Sequence, residues 1–412
     1  MNSGRMKLSM FLTYFVFAIL LNSVGTVILQ SINSFGVTKG AAATLEGFKD
    51  LSIAGVSFLL ASFLPRLGYR RAMMVGLGIV TLASLAMPIL AGFWMTRLLF
   101  LSVGVSFALV KVSVYSSIGL LAADRKHHAS LMNSIEGMFM VGVLAGYWLF
   151  SAFIDSANPA SLAWLDVYWP LAGLCVVNIS LLAGTRFDES AAHEAHARSL
   201  AEDFIAMLRL AALPLAYIFV IAAFLYVLIE QGIGTWLPTF NNQILKLPAA
   251  MSVQATSIFA ATLAIGRLGA GIILRRVNWF VLLNICLIGM ALLVVLTLPL
   301  THDVAYDPHV TWLRAPLAAY AFPLIGLFMA PIYPAINSVV LSALPKPRHA
   351  AMTGLIVIFS ALGGTTGSLI TGQVFARFDG QTAFYFSLVP LAGLAVALFY
   401  FRRAAAGAHS ST

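Results

Sequence analysis

Apolar residues recur in runs of about twenty from Phe11 to Phe401, each long enough to cross ~30 Å of hydrocarbon as a helix. The pattern places spans at 10 to 32, 47 to 64, 72 to 92, 97 to 121, 130 to 153, 167 to 185, 213 to 237, 252 to 273, 279 to 300, 315 to 343, 352 to 374 and 382 to 401. Twelve such runs predict an all-α membrane protein, because in hydrocarbon a helix bonds its backbone amides within its own segment. One long polar insert, residues 186 to 212, breaks the rhythm. It divides the chain into a six-helix bundle over 1–185, a linker over 186–212, a second six-helix bundle over 213–403 and a tail over 404–412.

The halves carry a repeat. His128-Ala129 and His349-Ala350 align at one offset that also sets Gly142 over Gly363 and Gly146 over Gly367. Basic loops precede both, Arg125-Lys126 and Lys346-Pro347-Arg348, so spans five and eleven read as copies. Small residues four apart let helix backbones approach, so these glycines are expected at a helix contact; simple glycine richness of membrane helices is the plainer alternative.

Composition agrees: 60% of the 412 residues are apolar and 9% charged. The net charge of +9 would suit a nucleic-acid binder, but the positions of the charges argue for a membrane orientation. With both termini inside, 16 of the 24 Lys and Arg fall in inner loops and ends and six outside; Lys111 and Arg267 lie within spans. The protein is therefore expected in the bacterial inner membrane as a multi-pass protein with cytoplasmic termini. Cys175 and Cys286 both fall in apolar spans and act as small hydrophobes. Arg5 and Lys7 precede an apolar stretch that continues past Leu29 without a cleavage pattern, which reads as a first span and not a signal peptide. His193-Glu194-Ala195-His196 has metal-like spacing but no third ligand, and no phosphate-binding Gly-x-x-x-x-Gly-Lys-Ser/Thr loop occurs. No cofactor or metal is expected.

Between spans two and three, Ala61-Ser62-Phe63-Leu64-Pro65-Arg66-Leu67-Gly68-Tyr69-Arg70-Arg71 resembles the cytoplasmic loop signature of the major facilitator superfamily, with Arg66, Gly68 and Arg70 in register. Pro65 stands where that signature has Asp, and Ala61 where it has its first Gly. The resemblance implies two pseudo-symmetric six-helix bundles and a latch role for this loop. In span seven, Tyr226-Val227-Leu228-Ile229-Glu230-Gln231-Gly232-Ile233-Gly234-Thr235-Trp236-Leu237 resembles the seventh helix of the fucose-permease-like branch of proton-coupled sugar symporters. That likeness implies a broken helix closing over substrate. The first half departs from the branch: where it carries acids, span one offers Asn22 and Gln30, and span four Lys111.

Ionisable groups inside spans are costly and are therefore the functional candidates. Lys111 lies roughly 20 Å from the inner end of span four, as a ligand for an anionic group, a proton-linked switch or half of a structural ion pair. Glu136, roughly 10 Å inside span five, and Glu230 are the candidate proton carriers, with structural hydrogen bonding the alternative. Their depths put about 10 Å between Lys111 and Glu136. Gly232 and Gly234 are expected to let span seven break as an outer gate, with Arg66, Gly68 and Arg70 gating the inner face. Gln231, Trp236, Asn241, Tyr115, Tyr333 and Asn337 complete the candidate substrate set with Asn22 and Gln30. Glu46, Lys49 and Asp50 read as an interfacial charge cluster in preference to a site, and Arg267, near a helix end, as a snorkelling anchor or a half-to-half contact in preference to a ligand.

The expected function is alternating-access transport of a small polar solute (a sugar, sugar acid or other organic anion) coupled to protons. Proton-driven export of a siderophore, another polar metabolite or a drug is the alternative. An enzyme would need a nucleophile and base at one depth, which the scattered acids do not supply. The partners expected are solute, protons and lipid, with no nucleic acid, for a chain working as a monomer.

Overall fold

The computed structural model describes residues 3–60, 67–121, 124–185, 187, 189, 200–302, 304–345 and 348–410. Regular structure among them is entirely helical. Eleven helices are long and apolar enough to cross a membrane. Span two, described over Thr44–Leu60, brings the count to twelve and carries Glu46, Lys49 and Asp50 in its first two turns. The chain groups into two units, Met1–Val37 with Phe48–Leu200, and Thr38–Gly47 with Ala201–Thr412.

In the first unit, span one is Ser3–Asn22 continued, after a joint at Ser23, by Val24–Phe35. Span three is Tyr69–Ile89, span four Phe93–Leu121, span five Arg125–Ala152 and span six Tyr168–Ala183. A side chain added at Gly142 would lie 2.6 Å from the Phe15 carbonyl oxygen, and one at Gly146 would lie 3.4 Å from Ile19. Spans one and five thus meet backbone to backbone at the aligned glycines. Span six is tied to span one by Asn178, which is wholly buried, accepts from Ser9 Oγ at 2.6 Å and donates to Thr13 Oγ1 at 2.7 Å. A buried amide in an apolar bundle needs such partners, and Ser9 and Thr13, one turn apart on span one, supply them.

The start of span three shows how the loop signature is used. Gly68 takes the left-handed region at φ +85°, and the backbone amides of Tyr69 and Arg70 donate to the two oxygens of Glu189 at 2.7 and 2.8 Å. The Arg70 guanidinium donates to the Thr185 carbonyl. A carboxylate from the chain after span six therefore satisfies the first amides of this helix and meets the positive end of its dipole. Arg66 lies outside the described residues. The linker is also less uniform than its polarity suggests, since Leu200–Ala211 is a helix that buries Met207 and Leu210. The expected tail is largely helix as well, because span twelve runs on to Ser410.

In the second unit, span seven is Pro214–Gly234, resumed as Leu237–Gln243 after an interruption at Thr235 and Trp236. Span eight is Ala249–Ile273, span nine Trp279–Thr297 and span eleven His349–Arg377. A side chain at Gly363 would lie 2.5 Å from the Phe224 carbonyl oxygen, and one at Gly367 would run into that of Leu228. The repeat is thus structural: the aligned glycines of spans five and eleven each receive the first helix of their half. Span ten is broken into Ala318–Ala321, Phe322–Leu324, Ile325–Met329 and Ile332–Ser342 around Pro323 and Pro331, while Pro334 sits in the first turn of the last piece, where proline is tolerated. The Pro323 carbonyl is satisfied by Thr262 Oγ1 at 2.8 Å.

The segment Thr38–Gly47 packs within this second unit. Ser368 Oγ donates to the Ala43 carbonyl at 3.4 Å, and the Lys39 ammonium sits 4.6 Å over the Phe375 ring. The reading of Glu46, Lys49 and Asp50 as an interfacial cluster is corrected here. Glu46 is fully buried and accepts from Thr235 Oγ1 at 2.9 Å; Lys49 is 6% exposed and pairs with Asp50 at 3.3 Å. Both cysteines are buried as free thiols.

Candidate functional site

Lys111, Tyr115 and Glu136 come together in the first unit. Tyr115 Oη donates to Glu136 Oε1 at 2.7 Å, and Lys111 lies one turn before Tyr115 with its ammonium 5.9 Å from that ring's centroid and 5.8 Å from that of Phe107. Lys111 also feels the charge of Glu136. The expected 10 Å offset in depth is therefore corrected. Span five begins at Arg125, capped by Asp124, whose carboxylate accepts from the His127 amide at 2.8 Å. Counted from their adjoining ends, Leu121 and Arg125, both side chains lie about 15 Å along their helices.

Rings surround the group. Tyr14 of span one packs against Phe107 at 6.3 Å, Tyr115 at 6.2 Å and Phe139 at 5.9 Å. Glu136 is exposed. Lys111 is exposed as well. Burying either charge against lipid tails would be far costlier than facing water.

A second group forms around Glu230. Tyr226 Oη donates to Glu230 Oε1 at 3.0 Å, and Arg267 Nη2 lies 3.7 Å from the same oxygen. Tyr226 stacks on Tyr333 at 5.4 Å, and Tyr333 Oη shares a 2.8 Å hydrogen bond with Ser360 Oγ. Asn337, one turn beyond Tyr333, keeps its buried Oδ1 without a partner. Arg267 is thus no mere anchor near a helix end: its long side chain reaches back to a carboxylate in span seven. Tyr14, Tyr226, Arg267 and Ser360 are the members that sequence reasoning missed. The signal available was the rule that a carboxylate inside a span needs a cation or hydroxyls, and Arg267 was the one basic residue within a span of that half.

The remaining candidates have other partners or none. Asn22 donates to the Ala18 carbonyl at 2.9 Å, and Gln30 is buried with an unpaired Nε2, about 12 and 24 Å along span one from Tyr14. Gln231 accepts from Thr235 Oγ1 at 3.1 Å. Trp236 is fully buried, donating to the Ser368 carbonyl at 3.0 Å, and Asn241 donates to the Ser252 carbonyl at 3.1 Å. Gly232 and Gly234 are close-packed, where added side chains would meet Thr371 and Phe259 at 2.9 Å; the break follows them directly, just before Pro238.

The fold matches solved transporters over nearly its whole length. The nucleoside transporter NupG aligns with a TM-score of 0.72 at 14% identity, covering 98% of this chain and 99% of that one. A D-xylose-proton symporter aligns at 0.74 and 13% identity, covering 96% of each chain. The E. coli fucose:proton symporter FucP aligns at 0.61 and 16% identity, over 98% and 99%. A comparison with the curated proteins finds no match. Residues 8–318 match the family model described as Major Facilitator Superfamily. Twelve spans in two glycine-matched halves, with charged groups lodged in mid-span, agree with that match over most of the chain, and the protein belongs to the Major Facilitator Superfamily.

Proposed function

We propose that the protein is a proton-coupled secondary transporter that moves a small polar solute, a sugar, sugar acid or other organic anion, by alternating access. The observation that carries this reading is the Lys111–Tyr115–Glu136 group, in which two exposed, opposite charges stand at one depth in spans four and five. Charges so placed need water, and a water-reached carboxylate in mid-membrane can exchange a proton with either side. Glu230, held by Tyr226 beside Arg267, is the corresponding carboxylate of the second unit. Support for proton coupling also comes from the folds it shares with a D-xylose-proton symporter and a fucose:proton symporter. The skew of Lys and Arg favours cytoplasmic termini in a bacterial inner membrane, and the protein works as a monomer.

The test is uptake into proteoliposomes under an imposed pH gradient, over a panel of labelled sugars, sugar acids and carboxylates. Glu136→Gln and Glu230→Gln are expected to abolish the gradient-driven component while the protein still folds. Undiminished gradient-driven flux in both variants would overturn the assignment of the proton carriers.

A further inference from the structure

We propose that the first unit holds a carboxylate subsite for a monoanionic solute with a planar, apolar body, in which the Lys111 ammonium serves the solute and Glu136 in turn. This rests on the reading of the protein as a proton-coupled transporter and names the class of solute.

Three observations converge. Among the described residues no carboxylate lies within 4.0 Å of Lys111, whose contacts are the faces of Phe107 and Tyr115 and the more distant charge of Glu136. An exposed ammonium in mid-span without a close counter-ion is prepared for an anion that arrives from outside the protein. Next to it, the Tyr14 hydroxyl is buried, with its residue 1% exposed, and its neighbour is the Tyr115 hydroxyl, with which it makes no well-formed hydrogen bond. A phenol left so wants an acceptor, and a carboxylate oxygen supplies one. Finally, the surroundings are rings: Tyr14, Phe107, Tyr115 and Phe139 stand with centroids 5.9 to 6.3 Å apart. A sugar would need several polar side chains for its hydroxyls, and the Tyr115 hydroxyl is already committed to Glu136. A flat apolar body suits ring faces and edges.

Charge balance then sets the coupling. Within the first unit the titratable groups facing one another are Tyr14 from span one, Lys111 and Tyr115 from span four, and Glu136 from span five. Lys111 and ionised Glu136 together are neutral. A carboxylate docking on Lys111 leaves one negative charge in excess, and Glu136 removes it by taking up one proton from the water on the side the solute came from. On the other side the solute leaves, the O–H bond breaks, and the carboxylate again faces Lys111. One proton travels with one monoanion and no net charge moves.

The experiment uses purified full-length protein in two arms. In the first, binding of benzoate is measured by calorimetry against its neutral amide and against gluconate, an anion without a ring. Wild type is expected to bind the benzoate at least tenfold more tightly than either control. Lys111→Ala should weaken that binding tenfold or more, Tyr14→Phe severalfold, and Lys111→Arg should restore most of it. In the second, uptake of the same anion into proteoliposomes, corrected with protein-free vesicles, should follow a pH gradient and ignore a potassium-valinomycin potential. Absence of benzoate binding, equal binding of gluconate, or unchanged affinity in Lys111→Ala would overturn the subsite. Uptake that responds to the potential would overturn the one-to-one balance. Gradient-driven uptake of a neutral sugar that survives Lys111→Ala would leave proton-coupled transport standing and remove the anion site. Benzoate binding lost in Lys111→Ala, with no gradient-driven uptake of any solute, would do the reverse.

Discussion

Replacing Gly142 with alanine tests whether the contact of spans one and five sets the first unit together. The new methyl would lie 2.6 Å from the Phe15 carbonyl oxygen and 2.8 Å from the Ala18 side chain, where ordinary contact begins near 3.4 Å. Both obstacles belong to span one, one of them backbone, so the helices must part by about 0.8 Å. Overpacking of this kind costs about 1–3 kcal/mol. For a unit of this size that corresponds to a fall in Tm on the order of 5 °C. Gly137 provides the control within the same helix, because a side chain there meets nothing within 4 Å. Alanine at that position should leave Tm unchanged or raise it slightly, since glycine is a poor helix former. The assay is thermal unfolding of the purified protein in detergent. Equal shifts in the two variants would refute the account of glycine as the means of close approach. The same parting should loosen the Tyr14 and Phe139 rings on either side of the contact, so Gly142→Ala is also expected to lower transport more than Gly137→Ala.

Two further outcomes follow from the packing. Asn178→Leu removes the partner of Ser9 and Thr13 between spans one and six and should destabilise the protein by about 0.5–2 kcal/mol in thermal unfolding; no change would mean these hydroxyls satisfy themselves on their own helix. The Arg267–Glu230 pair, with Arg267 nearly half exposed, should show a coupling of at most about 1 kcal/mol in a double-mutant cycle with Arg267→Ala and Glu230→Gln. Coupling several times larger would show a desolvated structural bridge in place of a responsive one.

The helices and their pairing were largely legible in the chain, since twenty-residue apolar runs and aligned glycines state length and contact directly. Gly142, Gly146, Gly363 and Gly367 all lie at a helix contact, as the repeat implied, and the structure supplies the partner, the first helix of their half. Depth was harder. The Lys111–Glu136 offset vanished because span five starts at Arg125, in a polar stretch that hydropathy assigned to the loop. Arg267 was misjudged because its backbone position, not the reach of its side chain, guided the reading. Trp236 and Asn241 illustrate a different limit: polar and aromatic side chains near a helix break look like ligands, yet both hydrogen-bond inside the protein. Glu189 stood in a featureless polar insert, and only the folded chain brings its carboxylate to the amides of span three.

The two buried thiols have a practical consequence. Cys175 is 0% and Cys286 3% exposed, so water-soluble alkylating reagents have no thiol to attack in the folded protein. Wild type is therefore expected to serve as a silent background for site-directed labelling. A cysteine introduced at position 111 or 136 would be the reactive one, and its rate of modification from either face of a sealed vesicle would report when that part of the transporter opens to that side.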